Sequence, residues 1–364
     1  MEVARSRAPD AVGKTRVYPL PTAKTTAVID LIEQVAEPLV DAFRRPITYL
    51  RVSVTDRCNL RCVYCMPEAG LPWIPKPDIL TYEEITAIVR AAASIGVRSI
   101  RLTGGEPLIR RDLHQLVGMI AAIPGIDDIA LSTNGLLLEQ QAPALAAAGL
   151  RRVNVSLDTL QEDRFTAIAR RPGLGKVLAG IDAAIAAGLT PVKLNCVLMR
   201  GTNDDELEAF AQMTRDRAVH IRFIEVMPVT ENVELQRDAW ISSDEVLERL
   251  SALGELTPVP NPHGNGPART FAYEGAPGTV GVISPLAHDY CERCNRVRLS
   301  ADGRLKLCLF GDNLIDLRTP LRSGGGEEAI VSLFRASMHV KPERHHLALG
   351  ETASMMRAFS EIGG

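Results

Sequence analysis

Strand-like and helix-like segments alternate six times along the chain between residues 47 and 226. Each strand-like segment is rich in β-branched residues, and the first helical segment opens with a capping box, Thr81-x-x-Glu84. The predicted strands span residues 48–54, 97–102, 128–131, 152–157, 192–198 and 220–226. Such a succession predicts parallel strands joined by right-handed crossovers, arranged either as an open doubly wound sheet or as a barrel.

Polar and reactive residues stand at the carboxyl ends of these predicted strands. They are Cys58, Gly104-Gly105-Glu106, Ser132-Thr133-Asn134, Ser156-x-Asp158 and Met227-Pro228. A barrel builds its site from the ends of many strands, whereas a doubly wound sheet builds it at a single switch point. The distribution therefore favours an α/β fold whose core is an incomplete (β/α)6 barrel of the TIM type.

The pattern changes after Pro228, where a helix over 243–253 is followed by a Pro- and Gly-rich loop and several short strands. We predict a loosely packed or partly disordered extension over 1–45 and a barrel over 46–235. A smaller α+β domain is predicted over 236–364, ending in Gly363-Gly364.

Composition excludes several classes of protein. The 364 residues carry 41 basic and 44 acidic side chains, so no overall positive field exists to bind nucleic acid or an anionic membrane. No apolar stretch approaches the ~18 residues of a membrane span, and the first residues lack the apolar core of a signal peptide. We therefore expect a cytoplasmic protein with no nucleic-acid or membrane partner.

The seven cysteines form two groups of three, and Cys196 stands alone as an expected core residue. An odd number argues against a disulfide framework and favours metal or redox chemistry. The first group, Cys58-x3-Cys62-x2-Cys65, can bind three irons of a [4Fe–4S] cluster and leave the fourth iron open. A structural zinc site is the alternative, but it usually recruits a fourth nearby Cys or His, and this loop has none.

The second group comprises Cys291, Cys294 and Cys308. An Asp302-Gly303 turn is expected to fold Cys308 back toward Cys294. A strict two-residue turn would direct Cys308 to the wrong face, so we expect an odd loop with Gly303 in the left-handed region. Strand alternation puts Arg296 and Arg298 on the face of Cys294, where they suit a phosphorylated ligand or form a solvated surface.

The first cysteine group, with Tyr64 before its last cysteine and the Gly-Gly-Glu-Pro turn at 104–107, resembles the radical S-adenosylmethionine superfamily. The resemblance implies that the three cysteines hold a [4Fe–4S] cluster whose open iron binds S-adenosylmethionine. It further implies that contacts to this nucleoside come from Tyr64, Gly105, Ser156 and Met227.

From about Arg51 to Gly364 the chain also resembles a branch of that superfamily that acts in molybdenum cofactor biosynthesis. The matching stretches include 51–58, 101–108, 132–135, 154–158, 223–228 and 341–345. The resemblance implies that GTP is bound by Arg51, Arg101, Ser132, Lys193, Arg296, Val297 and Arg298. It also implies a second [4Fe–4S] cluster on Cys291, Cys294 and Cys308, and a glycine tail that reaches into the barrel.

The reaction that this resemblance implies is the radical conversion of GTP to 3′,8-cyclo-7,8-dihydro-GTP, with catalytic roles for the first three cysteines, Arg296 and Arg298. Such a lyase needs an external one-electron reductant. Its product is the substrate of a cyclic pyranopterin monophosphate synthase. A homodimer is compatible with the sequence. Residues 173–177 lack the glycine and Ser/Thr of a Walker A loop, so GTP is expected as substrate rather than fuel. The alternatives are a radical enzyme that modifies a ribosomal peptide and an electron-transfer iron–sulfur protein.

Overall fold

The computed structural model describes residues 38–227, 238–262, 266–286, 288, 290–311 and 313–346. Our predictions for residues 1–37, for Pro228 and for the Gly363-Gly364 tail lie outside the described residues. None of the described helices combines the length and the apolar character that crossing a membrane requires.

A single mixed sheet runs through the described residues. Its strands are β1 (Tyr49–Ser53), β2 (Ser99–Thr103), β3 (Asp128–Thr133), β4 (Arg152–Ser156), β5 (Val192–Leu198), β6 (Val219–Glu225), β7 (Leu256–Pro258), β8 (Arg269–Tyr273), β9 (Thr279–Ile283), β10 (Arg296–Leu299), β11 (Arg304–Lys306) and β12 (Leu314–Asp316). Their order is β12-β11-β10-β1-β2-β3-β4-β5-β6-β9-β8-β7. The strands β1 to β6 are consecutive and parallel, which confirms the six predicted units.

The helices that connect and cover these strands include α1 (Tyr82–Ser94), α2 (Leu113–Ala121), α3 (Leu138–Ala147), α4 (Glu162–Ala169), α5 (Leu174–Ala186), α6 (Leu207–Asp216), α7 (Ser243–Ser251), α8 (Arg318–Arg322) and α9 (Gly326–Met338). The predicted capping box is present, because the Glu84 N–H donates to Thr81 Oγ1 and the Thr81 N–H donates to Glu84 Oε2. Strand alternation sends residues such as Leu50 and Val52 into the core shared with the helices, where both are fully buried. The intervening residues face the other side of the sheet.

The sheet is curved, because Arg51 on β1 and Arg222 on β6 line the same cavity. Strand β10 pairs in parallel with β1, and β9 pairs in parallel with β6, so strands from the carboxyl-terminal part extend both sides of the six-stranded core. Within the described residues, β12 and β7 are the two edges of the sheet. This arrangement agrees with the predicted incomplete (β/α)6 barrel.

The hairpin between β10 and β11 has the odd loop that we predicted. Gly303 has a φ of +83°, and its N–H donates to the Ser300 carbonyl at 3.0 Å. Leu299 is paired with Leu305, which is the register of a three-residue loop rather than of a two-residue turn. Strand β11 ends at Lys306, so Cys308 lies two residues beyond the paired part of this hairpin.

Residues 38–45 fall within the predicted extension, yet they pack against the body. The Leu39 N–H donates to the carbonyl of Ile95 at 2.7 Å, and the Ile47 N–H donates to the carbonyl of Leu39 at 2.8 Å. Asp41 and Arg45 form a buried ion pair with Oδ2 and Nε 2.7 Å apart and side-chain exposures of 0% and 6%. A buried charge of this kind depends on its partner far more than a surface charge does.

We expect Asp41→Asn to lower the free energy of unfolding by about 3 kcal/mol, because it leaves the Arg45 guanidinium buried without its carboxylate. The matched control is Asp127→Asn, whose partner Arg98 is 62% exposed; this change should cost less than about 1 kcal/mol. Denaturant titration of both variants measures the difference. Equal losses in the two variants would contradict the assignment of Asp41 as a buried anchor.

Candidate active site

A cavity of about 330 Å³ lies at the carboxyl ends of the parallel strands. It brings together thirteen of the predicted site residues: Arg51, Cys58, Cys62, Tyr64, Cys65, Arg101, Gly105, Ser132, Ser156, Lys193, Met227, Arg296 and Arg298. Val297 does not line it, because its side chain is 1% exposed and belongs to the core on the opposite face of β10. Only the backbone of Val297 can therefore contribute to a ligand site here.

The first cysteine group occupies the loop after β1, and its three cysteines line the cavity. This loop is fixed to the end of α4, because the N–H groups of Arg61 and Val63 donate to the carbonyls of Ala169 and Ile168, both at 3.0 Å. The Arg61 guanidinium turns back to its own loop and donates to the Cys58 carbonyl at 2.8 Å. Together these hydrogen bonds fix the short segment that carries the three cysteines.

The cysteines of this loop are half-buried, and their surroundings raise the pKa of each thiol. Burial is the largest influence: it raises the pKa of Cys58 to about 11 and, together with the neighbouring charges of Cys58 and Asp158, that of Cys65 to about 12. The pKa of Cys62 is raised in the same way. Iron has to displace these protons, since the thiolate is the metal ligand.

The cysteines are not arranged as a mononuclear metal site. Among the residues that the structure describes, no group of three or more His, Cys, Asp or Glu side chains could hold a single metal ion. A [4Fe–4S] cluster gives each thiolate a different iron, so its ligands need not converge on one point. The loop supplies three thiols and no fourth Cys or His, and this donor set fits a cluster better than it fits zinc.

The glycine pair after β2 lies directly on the backbone that precedes Cys58. A Cβ on Gly105 would stand 2.3 Å from the Arg57 carbonyl oxygen, and a Cβ on Gly104 would stand 2.5 Å from the Thr55 carbonyl oxygen. The Gly105 N–H donates to Thr55 O at 2.8 Å. Because these two glycines have no side chains, the loops after β1 and β2 are in contact. Both glycines also line the cavity.

Two buried carboxyl groups stabilise the loops around the cavity. Glu106 accepts hydrogen bonds from Thr133 Oγ1 and the Asn134 N–H, both at 2.7 Å, and burial raises its pKa to about 7. Asp158 accepts a hydrogen bond from Tyr64 Oη at 2.7 Å, and burial raises the pKa of this carboxyl to about 6. The Asp158 contact fixes the Tyr64 ring beside the cysteines.

The inner face of the sheet carries a concentration of positive charge. The strand registers set Arg51 opposite both Arg298 on β10 and Arg101 on β2. The cations that line the cavity are Arg51, Arg101, Arg152, Lys193, Arg222, Arg296 and Arg298. Among the described residues, two carboxyl groups, those of Asp158 and Glu225, line it with them, so the cavity favours an anionic ligand.

Burial and mutual repulsion act on these cations. Burial, followed by the charges of Arg222, Arg152 and Arg101, lowers the pKa of Lys193 to about 7. The pKa of Arg222 is lowered to about 9, again first by burial and then by Arg101. The Nε atom of Arg222 is buried and makes no hydrogen bond within the described residues.

Arg152 and Arg222 line the cavity but were not among the site residues predicted from the sequence. Arg152 pairs with Asp128, with Nε and Oδ1 2.9 Å apart, and Arg222 interrupts the otherwise apolar centre of β6 between Ile221 and Phe223. A lone cation within an apolar strand was the available signal, since a buried arginine requires an anionic or polar partner.

The cysteines of the second group do not line the cavity, whereas their chain neighbours Tyr290 and Arg296 do. Cys291 begins a short 3₁₀ turn, Cys291–Arg293, and the Cys294 N–H donates to its carbonyl at 3.0 Å. Lys341 Nζ donates to the Leu307 carbonyl at 2.8 Å and lies 3.6 Å from Cys294 Sγ, which brings the segment before Cys308 next to Cys294.

The charge around Cys294 differs from that around the first group. Burial raises the pKa of Cys294, but the positive charges of Lys341, Arg296 and Arg45 outweigh burial, so that its pKa is lowered overall. A thiolate is therefore more accessible at Cys294 than at Cys58.

Comparison with known proteins identifies the family. The radical SAM superfamily model matches residues 52–214, and the model of the molybdenum cofactor synthesis carboxyl-terminal domain matches residues 219–347. A protein of Pelotomaculum thermopropionicum named GTP 3′,8-cyclase is 50% identical over 89% of this chain and 99% of its own length. A protein of the same name from Moorella thermoacetica is 48% identical over the same shares.

Among solved structures, Streptococcus suis SuiB bound to S-adenosylmethionine has a similar fold. The TM-score is 0.53 at 14% identity, over 88% of this chain and 75% of that one. This likeness concerns the fold alone, whereas the relatives near 50% identity span almost the whole of both sequences. The chain therefore belongs to the GTP 3′,8-cyclase family of the radical S-adenosylmethionine superfamily.

Proposed function

We propose that this protein converts GTP to 3′,8-cyclo-7,8-dihydro-GTP, the first step of molybdenum cofactor biosynthesis. The proposal rests on one cavity whose described lining combines the three cysteines of the loop after β1 with seven cationic side chains. Membership of the superfamily implies one [4Fe–4S] cluster and S-adenosylmethionine. When bound, these supply the 5′-deoxyadenosyl radical that starts the cyclisation.

The loop after β1 is the proposed site of that cluster, with Cys58, Cys62 and Cys65 as its ligands. The Tyr64 ring, held by its hydrogen bond to Asp158, is positioned to contact the nucleoside beside the cluster. Gly105, Ser156 and Met227 complete the proposed S-adenosylmethionine contacts, and all of them line the cavity.

The cations of the inner face are the proposed triphosphate site. Gathering buried positive charges has a free-energy cost, which the lowered pKa values of Lys193 and Arg222 express. A triphosphate offsets that cost, because arginine forks match phosphate oxygens in bidentate pairs. We add Arg152 and Arg222 to the predicted GTP contacts Arg51, Arg101, Ser132, Lys193, Arg296, Val297 and Arg298.

The chain's own contribution is therefore to position GTP and to limit the access of water. A triphosphate bound by cations on several neighbouring strands has little freedom to turn away from the cysteine loop. The difficult chemistry belongs to the bound cofactors. A peptide substrate, the alternative considered above, gives no comparable reason for so many buried cations.

The second cysteine group is the proposed site of a second [4Fe–4S] cluster, on Cys291, Cys294 and Cys308. Its support is the lowered pKa of Cys294 and the Lys341 ammonium that links this residue to the segment before Cys308.

We further propose an external one-electron reductant, a downstream cyclic pyranopterin monophosphate synthase and a homodimer as partners. We also propose the division into a barrel over 46–235 and a smaller domain over 236–364.

Replacing one cysteine from each group tests the proposal. We expect Cys62→Ala to abolish S-adenosylmethionine cleavage, whereas Cys294→Ala should mainly weaken GTP binding and cyclisation. Anaerobic assays of 5′-deoxyadenosine, GTP affinity and cyclised product measure these effects, with Cys196→Ala as the matched control that keeps all three. Loss of cleavage with intact GTP affinity in Cys294→Ala would contradict the assignment of two sites.

The glycine pair gives a second prediction. Gly105→Ala should lose most of the iron bound at the first site, because the new Cβ displaces the backbone just before Cys58. The control is Gly175→Ala in α5, where an added Cβ meets nothing within 4 Å. Iron analysis after anaerobic reconstitution compares the two, and full iron content in Gly105→Ala would refute the role of this contact.

GTP affinity should decrease as the pH rises from 7 to 9. Lys193 has a pKa of about 7 without ligand, so it loses its charge in this range, while the bound triphosphate favours the charged form. Binding therefore takes up a proton and weakens by at most about tenfold per pH unit. Calorimetric titration with GTP measures the slope, and Lys193→Met should reduce both affinity and slope. A flat profile in the unaltered protein would contradict this role of Lys193.

A further inference from the structure

A buried lysine lies against the second cysteine group. The Lys341 side chain belongs to a residue that is only 3% exposed, and its ammonium donates to the Leu307 carbonyl at 2.8 Å. The same Nζ atom lies 3.6 Å from Cys294 Sγ, within hydrogen-bonding distance of sulfur. A buried ammonium is costly unless it serves an acceptor, so the sulfur contact requires an explanation.

Several contacts hold this lysine in place. It follows α9 closely, and the next two residues, Pro342 and Glu343, offer their carbonyls to Arg45 Nη2 at 2.7 Å and Nη1 at 2.5 Å. Arg45 Nη1 also donates to the Cys291 carbonyl at 2.7 Å. One guanidinium therefore joins the segment that carries Lys341 to the backbone of the first cysteine in the group.

Arg45 itself is fixed by Asp41, the buried carboxylate described above. A continuous chain of contacts then runs from Asp41 through Arg45 and residues 342–343 to Lys341 and Cys294. The Leu307 carbonyl uses one of the three ammonium N–H donors, which leaves donors available to the Cys294 sulfur. The charge has an electrostatic use where a cluster is bound.

We propose that Lys341 is a positioning residue that donates a charge-assisted hydrogen bond to the cluster-ligating sulfur of Cys294, and that Arg45 holds it there. This inference rests on the proposed second cluster. A reduced cluster carries one more negative charge than its oxidised form, and hydrogen bonds to ligand sulfurs favour the reduced form. Lys341 therefore raises the reduction potential of that cluster.

The experiment isolates the second cluster in the full-length chain by the combined change Cys58→Ala, Cys62→Ala and Cys65→Ala. After anaerobic reconstitution, iron analysis counts the remaining cluster, and a redox titration followed by electron paramagnetic resonance gives its potential. Lys341→Met in this background should lower the potential by about 59 mV, which corresponds to a tenfold change in a one-electron equilibrium.

Two further variants separate this effect from general damage. Lys341→Arg keeps the charge and should recover most of the lost potential, whereas Lys176→Met removes an exposed charge on α5 and should leave the potential unchanged. Arg45→Lys should lower the potential in part, and it should add little when combined with Lys341→Met, because both act through one hydrogen bond.

The outcomes are distinct. A second site that holds iron but whose potential does not move in Lys341→Met would overturn the inference and leave the proposed cluster in place. A background variant that binds no iron at Cys291, Cys294 and Cys308 would overturn the proposed second cluster and the inference together.

Discussion

The repulsion among cations on the inner face of the sheet is the constraint on which the rest of this structure depends. Strand register brings Arg298, Arg51 and Arg101 side by side, and Lys193 and Arg222 face the same cavity from β5 and β6. The apolar residues that alternate with these cations pack under the helices and stabilise the sheet against that repulsion. A polyanionic substrate relieves it, so the same arrangement that costs folding free energy provides binding free energy.

The cysteine loop is joined to the loops after β2 and β3 by close backbone packing and by the Glu106 carboxylate. The glycine pair after β2 rests on the backbone before Cys58, and Glu106, two residues from Gly104, receives hydrogen bonds from Thr133 and Asn134 after β3. Loops from three successive strands thus fix the cysteine loop relative to the cationic wall. A rigid site of this kind suits a reaction in which the protein mainly orients its substrate.

The sequence was sufficient for the features that depend on local pattern. The alternation of strand-like and helix-like segments located β1 to β6, and a short cysteine motif located the first loop. The need for an odd number of residues in the loop between β10 and β11 predicted the left-handed conformation of Gly303. Features that depend on distant contacts could not be predicted. Arg45 meets residues 342 and 343 only after folding, and Arg222 needed a curved sheet to face Arg101. The segment 38–45 showed no pattern that would reveal its anchoring ion pair.

We propose that the cavity aligns GTP so that the 5′-deoxyadenosyl radical abstracts the hydrogen at C3′. Anaerobic turnover with GTP deuterated at C3′ tests it most directly, with mass spectrometry of 5′-deoxyadenosine and of the nucleotide product. We expect one deuterium in 5′-deoxyadenosine together with formation of 3′,8-cyclo-7,8-dihydro-GTP. Formation of 5′-deoxyadenosine without deuterium, and with GTP recovered unchanged, would contradict it.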